Sequence, residues 1–454
     1  MTDTLVYNAD VVSADGVRRG YVAVSADGFI SEVGVGNPEP QLIASARFAV
    51  DAGGALLMPG AIDCHVHFRE PGLTRKATIA SESRAAVAGG VTSFIDMPNT
   101  VPQTTTIEAL EQKWQLAAGE SHVNYGFFFG ATNTNASLFH QLDRSLIPGI
   151  KLFMGASTGN MLVDRREALD SVFSEAARLH LPVMAHCEDT EIINRNMREA
   201  KAAMGPDPDI SQHPLIRSAE ACYASSAKAV ELARRHGTRL HIAHLSTARE
   251  LQLLDMPTDT SLPQITGEAA LAHLLFDDGD YARLGALIKC NPAVKTAADK
   301  QALRQAVASG RIYTVGTDHA PHLLEEKQGG AATAKSGMPM IQFSLVSMLQ
   351  LADEGVLGIE RIVELMCHHP ARLFGISRRG YLRPGYHADV TIVRPNARWT
   401  LTKELIQSKC KWSPLEGHTF NWRVEHTYCN GHHIYNKGIF APDCKGEQLK
   451  FDNP

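Results

Sequence analysis

The chain has 454 residues, of which 44% are hydrophobic, and a formal net charge of −5. This composition supports a large buried core, and the length suits several ordinary domains or one large barrel with an appended domain. The slightly acidic balance excludes the strongly basic surface that nucleic-acid phosphates require, so a small-molecule substrate is expected.

The first residues lack the apolar region of a signal peptide, and no apolar run approaches the ~18 residues of a membrane helix. The eight cysteines are scattered without any Cys-x-x-Cys spacing, which favours reduced thiols that fill the core. We therefore expect a cytoplasmic protein whose partners include neither a membrane nor a nucleic acid.

Both ends of the chain are predicted to be rich in β-structure. In residues 1–57, Asp-Gly pairs at 15–16 and 27–28 separate runs of β-branched and aromatic residues, a pattern typical of hairpins. Residues 380–454 have the same texture, with a hairpin predicted at Asn430-Gly431. We expect the two ends to meet in one small β-sandwich domain.

The middle of the chain, residues 58–379, alternates short apolar β-prone runs with alanine-rich helical stretches. The predicted strands are 57–63, 92–96, 124–129, 149–153, 182–186, 239–244, 261–266 and 311–317. Helical stretches such as 78–88 and 219–236 end at a glycine, as helices commonly do. Eight strands that are each followed by a helical segment predict a (β/α)8 TIM barrel within an α/β fold.

A histidine pair, His65 and His67, lies just after the start of this middle region. Alternate residues of a strand point the same way, so both imidazoles would face one side. Two half-exposed histidines at a strand end are the simpler alternative. In a TIM barrel, however, functional groups gather at the C-terminal ends of the strands. Four further polar residues occupy such positions: Lys151, His186, His244 and Asp318.

Imidazole and carboxylate ligands suit a borderline divalent ion such as zinc. Four histidines and one aspartate exceed the needs of one tetrahedral catalytic ion, which indicates a two-metal site. Two ions need a bridging anion, and Lys151 would become one if its amine reacted with carbon dioxide to form a carbamate. An unmodified Lys151 packed against the barrel is the alternative.

Six short motifs carry a resemblance to a known family. They are DCHVHFREPG at 63–72, DMPNT at 96–100, AHCE at 185–188, IAHLS at 242–246, CNP at 290–292 and GTDHAPH at 316–322. Over nearly its whole length the chain resembles the amidohydrolase superfamily, and within it the long bacterial dihydroorotases of pyrimidine biosynthesis. Arg69 and Pro98-Asn99 favour dihydroorotases over hydantoinases, whereas Lys151-Leu-Phe-Met resembles the corresponding hydantoinase segment.

The resemblance implies a set of ligands and a reaction. One zinc ion would be bound by His65, His67 and Asp318, a second by His186 and His244, and carbamylated Lys151 would bridge them. Water activated by the two ions would attack the ring amide of L-dihydroorotate and give N-carbamoyl-L-aspartate reversibly. Asp318 would carry the proton to the leaving nitrogen.

The resemblance also assigns Arg69, Asn99 and His322 to the substrate carboxylate and Asn291 to the polar edge of the ring. The guanidinium fork of an arginine matches a carboxylate, although a solvated arginine and a turn-forming asparagine are simpler alternatives. A hydantoinase, dihydropyrimidinase or allantoinase would share all six metal ligands, and a non-catalytic scaffold is a further alternative. The loop after His322 is either a lid or a plain exposed loop, and the resemblance implies a homodimer.

Overall fold

The computed structural model describes residues 2–155, 161–257, 261–442 and 446–452. Within these ranges, no helix combines the length and the apolar character needed to cross a membrane. Seven of the eight cysteines are described; all seven are free, and all but Cys410 are buried. Cys444 lies outside the described residues.

The N-terminal part of the chain consists of strands. They are β1 (Thr2–Ser13), β2 (Gly16–Ser25), β3 (Ile30–Val35), β4 (Phe48–Asp51) and β5 (Leu56–Pro59), with helix α1 (Pro40–Ser45) before β4. β1 and β2 form the first predicted hairpin, in which Ser13 lies opposite Gly16. β1 then pairs in parallel with β4 along its first half and with β5 along its second half.

The middle of the chain forms parallel strands. They are β6 (Ala61–Val66), β7 (Val91–Asp96), β8 (Asn124–Phe127), β9 (Phe129–Gly130), β10 (Ile150–Phe153), β11 (Val183–His186), β12 (Leu240–Ile242), β13 (Ile265–Ala270) and β14 (Thr314–Gly316). β6 to β8 form one sheet and β9 to β14 another. Only Phe128 separates β8 from β9, and a parallel bridge joins Val66 at the end of β6 to His319 beyond β14. The predicted parallel α/β arrangement is confirmed.

Helices connect and follow these strands. They are α2 (Ile79–Ala88), α3 (Ile107–Glu120), α4 (Arg166–Arg178), α5 (Thr190–Met204), α6 (His213–Ile216), α7 (Ala219–His236), α8 (Leu271–Leu275), α9 (Tyr281–Leu284), α10 (Ala297–Ser309), α11 (Ser344–Asp353), α12 (Ile359–Val363) and α13 (His369–Phe374). A π-helical turn, Glu364–His368, joins α12 to α13. Thr78 caps α2 by accepting a hydrogen bond from the Ser81 N–H, and Gly237 ends α7 with a φ of 73°.

The C-terminal part returns to strands. They are β15 (Val390–Arg394), β16 (Trp399–Thr400), β17 (Thr419–Phe420), β18 (Arg423–Cys429), β19 (His432–Asn436) and β20 (Ile439–Phe440). One nine-stranded sheet has the order β20-β19-β18-β15-β5-β1-β2-β3, with β4 beside β1, while β16 and β17 form a separate ribbon. The predicted hairpin at Asn430-Gly431 is present, and strands from both ends share one sheet. The sandwich and its boundaries stay predictions.

Three predicted strands differ from the structure, and one of them, 124–129, is divided at Phe128 into β8 and β9, which belong to different sheets. The run 57–63 is divided at Gly60 into β5, in the terminal sheet, and β6, in the parallel sheet. A side chain at this glycine would clash with Thr92, so glycine allows the close passage. The run 261–266 is replaced by Ile265–Ala270, which contains Gly267, Glu268 and two alanines. This segment has low β-propensity, and its strand structure is determined by its buried surroundings.

Candidate active site

One cavity collects most of the residues that the sequence predicts to be functional. Eight of the ten line it: His65, His67, Arg69, Asn99, His186, His244, Asn291 and Asp318. The remaining two are buried next to it, Lys151 in β10 and His322 in contact with Arg69. The structure therefore brings the ten residues together, and their individual roles stay predictions.

His65, His67 and Asp318 form a compact group, called here the His65 group. His65 lies in β6, His67 directly follows that strand, and Asp318 lies two residues beyond β14. The Nε2 atoms of His65 and His67 lie 3.4 and 3.0 Å from the same carboxylate oxygen of Asp318. One ligand atom from each residue lies within 4.8 Å of the others, so the group could hold a metal ion.

Each histidine of this group is oriented by a second residue. His65 Nδ1 donates to Glu268 Oε1 at 2.6 Å, and His67 Nδ1 donates to Asn99 Oδ1 at 2.7 Å. These bonds fix the ring tautomers and direct both Nε2 lone pairs towards Asp318, as hydrogen-bond acceptors behind metal-binding histidines do. Asn99, predicted to bind substrate, thus also has a contact that orients His67.

Glu268 is the residue of this site that the sequence prediction missed. It is fully buried in β13, and besides binding His65 it accepts the His244 N–H at 3.1 Å. Gly316 leaves room for it, because a side chain there would contact the Glu268 carboxylate at 2.5 Å. A single carboxylate within the otherwise uncharged run Ile265–Ala270 was the signal that could have identified it.

Asp63 fixes the two strand ends that carry the His65 group. Its buried carboxylate accepts the backbone N–H groups of His65 and Thr317, both at 3.2 Å, and the Thr317 hydroxyl. Burial raises the pKa of Asp63 to about 7 despite these hydrogen bonds. β6 and β14 are thereby held side by side at the ends from which His65 and Asp318 project.

His186 and His244 form a second unit, called here the His186 pair. His186 Nδ1 lies 2.9 Å from His244 Nε2, and His186 Nε2 lies 3.1 Å from Glu188 Oε2. His244 Nδ1 is buried and has no hydrogen-bond partner among the described residues. The two rings thus contact each other, and of the two only His186 has a carboxylate neighbour, Glu188.

Lys151 lies fully buried in the parallel sheet, beside both histidine units. Its Nζ has no hydrogen-bond partner among the described residues and lies 5.1 Å from the Phe153 ring centroid. Burial lowers the pKa of Lys151 to about 8, against the opposing attraction of Glu268 and Asp318. An unpaired buried ammonium is costly, whereas a carbamate between two cations would satisfy this position. Lys151 therefore fits the predicted bridge.

The protonation of the site suits metal binding. Burial lowers the pKa of His65 to about 3, and it also lowers the pKa values of His67, His186 and His244. Burial raises the pKa of Asp318, but the neighbouring His65 and His67 outweigh it and hold that pKa well below its usual range. Neutral imidazole and ionised carboxylate are the forms that bind metals, so these residues fit a divalent ion such as zinc.

Arg69 forms part of the cavity wall and is only 2% exposed. Its Nε donates to the Pro321 carbonyl at 3.0 Å, and its Nη2 lies 3.1 Å from His322 Nε2. Burial lowers the pKa of Arg69 to about 10, so the side chain stays charged at neutral pH. Among the described residues, no carboxylate lies within ion-pair distance of it. The cavity therefore contains a buried cation whose charge is not paired by any carboxylate of the described part of the chain.

His322 and Asn291 differ in how they meet the cavity. The Nδ1 atom of His322 accepts from Lys76 Nζ at 3.0 Å, and its Nε2 donates to the Ser336 carbonyl at 2.9 Å. Both ring nitrogens are thus engaged within the protein, which favours a supporting role behind Arg69 over the predicted direct contact with substrate. Asn291 lines the cavity, and its buried Oδ1 has no partner among the described residues.

Three residues of the site have unusual backbone conformations. Arg69, His244 and Asp318 have φ angles of 66°, 37° and 48°. Non-glycine residues with positive φ are uncommon, and they occur where the surrounding structure enforces a conformation that costs of order 1–3 kcal/mol. Each lies just after a strand or a ligand motif, where this backbone turn directs the side chain into the cavity.

The loop after His322 is hydrogen-bonded in place. Lys327 Nζ donates to the carbonyl oxygens of Lys289, Lys335 and Gly337, at 3.1, 2.7 and 2.7 Å. Asp207 accepts three backbone N–H groups from residues 330–333. Gly337 lines the cavity, so this hydrogen-bonded loop forms part of the cavity wall. These contacts favour a fixed wall over a mobile lid.

The chain belongs to the amidohydrolase family, whose model matches residues 56–434. It is 34% identical over 402 residues to a dihydroorotase of Halobacterium salinarum, covering 87% of this chain and 91% of that protein. It is 33% identical over 440 residues to an allantoinase of Bacillus velezensis, covering 96% of this chain and 94% of that protein. The predicted hydrolase class is confirmed, and these two relatives carry different substrate names.

A solved structure shows the same fold over the whole chain. It is the L-hydantoinase (dihydropyrimidinase) from Arthrobacter aurescens, with a TM-score of 0.93 and 28% sequence identity. The match covers 99% of this chain and 100% of that one. The fold is therefore that of the cyclic amidohydrolases, within which the substrate must be argued from the cavity.

Proposed function

We propose that this protein is a dihydroorotase, which hydrolyses L-dihydroorotate reversibly to N-carbamoyl-L-aspartate in pyrimidine biosynthesis. The observation that carries the proposal is Arg69, a buried cation in the cavity wall without a carboxylate partner among the described residues. A buried charge needs a counter-charge, and dihydroorotate supplies one because its ring bears a carboxylate. The dihydroorotase relatives agree with this choice.

The carboxylate would bind the guanidinium on the side that faces the cavity. Pro321 occupies Nε, whereas His322 Nε2 directs its proton to Ser336 and only packs against Nη2, so Nη1 and Nη2 are the donors for the ligand. His322 is itself bound to Lys76 and Ser336 and thereby fixes the plane of the guanidinium. Asn291, whose amide oxygen has no partner among the described residues, would accept an N–H of the ring.

We further propose that the site holds two zinc ions, one on the His65 group and one on the His186 pair, with carbamylated Lys151 between them. The ions would lower the pKa of a water molecule and polarise the amide carbonyl. The amine of Lys151 would add to the carbon of carbon dioxide and lose a proton. Glu268 and Asn99 hold His65 and His67 in the tautomers that this arrangement needs.

Asp318 is the proposed proton carrier. Its carboxylate lies 3.0 Å from His67 Nε2, and it both lines the cavity and remains ionised, since its pKa is well below the usual range. In that form it accepts the proton of the attacking water and then donates it to the leaving amide nitrogen. The reverse direction uses the same residue to close the ring.

The second candidate is an allantoinase or hydantoinase. The allantoinase relative matches a larger share of the chain than the first dihydroorotase relative, 96% against 87%. A neutral cyclic diamide, however, offers no negative charge to Arg69. The same metal site would serve either substrate, so Arg69 is the residue that discriminates between the two functions.

The test is to compare ring opening of L-dihydroorotate, allantoin, hydantoin and dihydrouracil by protein supplied with zinc and bicarbonate. We expect kcat/KM for dihydroorotate to exceed the other three values by at least about 100-fold, the scale of one buried charge pair. Preference for a neutral ring would overturn the assignment of Arg69 while leaving the metal site intact. No turnover of any of the four would favour a non-catalytic scaffold.

Other proposals concern the protein as a whole. The nine parallel strands β6 to β14 and the Val66–His319 bridge support a closed barrel, and the nine-stranded terminal sheet supports a β-sandwich domain. A homodimer and a cytoplasmic location follow from the resemblance and the composition. Sedimentation of the purified protein tests the first of these two, and fractionation of the source cells tests the second.

A further inference from the structure

A second cavity lies apart from the candidate active site, between the terminal sheet and the helices that follow β14. It encloses about 440 Å³, within the range typical of small-molecule sites. The β1–β2 hairpin, the end of β3, the π-helical turn and α13 form its walls. The chain thus has a ligand-sized space that the proposed hydrolysis does not use.

This cavity lies at the opposite end of strand β14 from the metal centre. His369 lines this cavity, and its Nδ1 donates to the Tyr313 carbonyl at 2.7 Å. The His369 ring also stacks on the Tyr313 ring, with 4.2 Å between the ring centroids. Tyr313 directly precedes β14, whereas Asp318 lies two residues beyond its other end. At about 3.3 Å per residue, roughly 16 Å of strand separates them. A molecule in this cavity therefore does not occupy the substrate site.

The walls of this cavity are rich in arginine. Four arginines and two carboxylates line it: Arg18, Arg19, Arg372, Arg383, Asp15 and Glu364. Arg19 pairs with Asp10, and Glu364 pairs with Arg361. Within the described part of the chain, the other three arginines have no carboxylate within ion-pair distance. Positive charge is thus concentrated here in a chain whose net charge is −5.

One wall also presents an imidazole and an aromatic ring. His368 is 7% exposed, and neither ring nitrogen is hydrogen-bonded to a described residue. It stacks on Tyr381 at 4.2 Å, and the Arg383 guanidinium lies 4.4 Å from the centroid of the same ring. Stacking on Tyr381 holds His368 and Arg383 in defined positions. The cavity therefore combines exposed cations with a buried polar group.

From this combination we infer that the cavity is a binding site for a small anion carrying two or more phosphate groups. Guanidinium groups bind phosphate oxygens through paired hydrogen bonds, and Arg18, Arg372 and Arg383 surround the space from three different segments. The neutral ring of His368 supplies a further hydrogen bond at the buried end. A single carboxylate would satisfy only one of these cations, whereas a polyphosphate can bind several.

Calorimetric titration of the metal-loaded protein with inorganic triphosphate, and separately with ATP, tests this inference. We expect one site per chain that the double variant R372Q/R383Q weakens at least about 10-fold, the loss expected for charge-assisted hydrogen bonds. The control is R195Q/R198Q, which removes two exposed charges from α5. Thermal unfolding of all three proteins verifies that the substitutions leave the fold intact.

The two ligands distinguish the possible sources of the phosphate groups. Tighter binding of ATP would show that a nucleotide base also enters the cavity, and equal binding would show that the phosphates alone are recognised; both support the site. No binding to the wild-type protein, or equal weakening in the two double variants, would overturn it. Binding that survives R372Q/R383Q would place the anion elsewhere, for example on the metal ions, and would also overturn it.

Discussion

The His65 group and the His186 pair offer the same kinds of donor atoms but are held in different ways. In the first, Glu268 and Asn99 fix the two rings from behind, and the free nitrogens face Asp318. In the second, the rings of His186 and His244 contact each other at 2.9 Å. The residues proposed to bind the first ion are thus oriented more completely than those proposed to bind the second.

The difference indicates an order of assembly. A group whose rings are already oriented loses little conformational freedom on binding, so the His65 group should bind an ion without help. For the proposed second ion to bind, the two rings of the His186 pair would have to separate, and that ion would share an anion with the first. In the proposed centre Lys151 would supply that anion as a carbamate, so binding of the second ion would depend on a covalent modification.

The substitution Lys151→Ala should have the largest effect of the four, because it should prevent binding of the second ion. It removes the proposed bridge, so we expect the metal content to fall from about two zinc ions per chain to about one, and kcat to fall by about 10³-fold or more. Elemental analysis after dialysis measures the first quantity, and dihydroorotate turnover the second. Exposed Lys228→Ala is the control. Retention of two ions by the Lys151 variant would contradict the bridge.

Arg69→Met leaves both halves of the metal centre in place and removes the cation of the cavity wall. We expect kcat/KM for dihydroorotate to fall about 10²–10³-fold, since a charged contact with the substrate is lost, while zinc content stays unchanged. Arg75→Met, which alters an exposed arginine nearby in the sequence, is the matched control. An equal loss of zinc and of turnover would assign Arg69 to the metal centre instead.

Glu268→Gln should leave the His65 ring less firmly oriented for metal binding, as in the His186 pair. The amide is a weaker acceptor for His65 Nδ1, and loss of such an outer partner typically costs 10–100-fold in metal affinity, so we expect about that change. Competition with a zinc chelator measures it. Glu250→Gln serves as the control, because Glu250 is also buried and its hydrogen bonds are to Ser226, Ser246 and Thr247 rather than to a proposed metal ligand. Unchanged affinity in Glu268→Gln would show that burial alone orients His65.

Lys327→Met should have the smallest effect of the four. It removes the donor that fastens Gly337 to the cavity wall, so we expect KM for dihydroorotate to rise about 3–10-fold and the free energy of unfolding to fall by about 1–3 kcal/mol. Zinc content should stay at its wild-type value. The control is exposed Lys335→Met in the same loop. If both variants behave alike, Lys327 contributes only its positive charge to the loop, and its hydrogen bond to Gly337 has no specific role.

The parallel strands and most of the site could be predicted because local patterns encode them. His65 and His67 share a strand face by simple alternation, and Asp318 follows a buried apolar strand. Glu268 was missed because β13 begins four residues later than the pattern predicts, and strand propensity is weak in a run of glycine and alanine. Neither the positive φ of Arg69 nor the carbonyl contacts of Lys327 has a sequence pattern, because both depend on segments that meet only in the folded chain.

Gly60 also links the construction of the metal centre to protein synthesis. It is the single residue between β5, which pairs with β15, and β6, which carries His65. β15 follows all the parallel strands in the sequence, and chains emerge from the ribosome N-terminus first. β5 can pair with β1 early, but its other edge, and with it the full anchoring of the strand that bears the first ligands, is completed only after nearly the whole chain has been translated. Nascent chains that end before β15 should load zinc poorly, even though every metal ligand is already present in them.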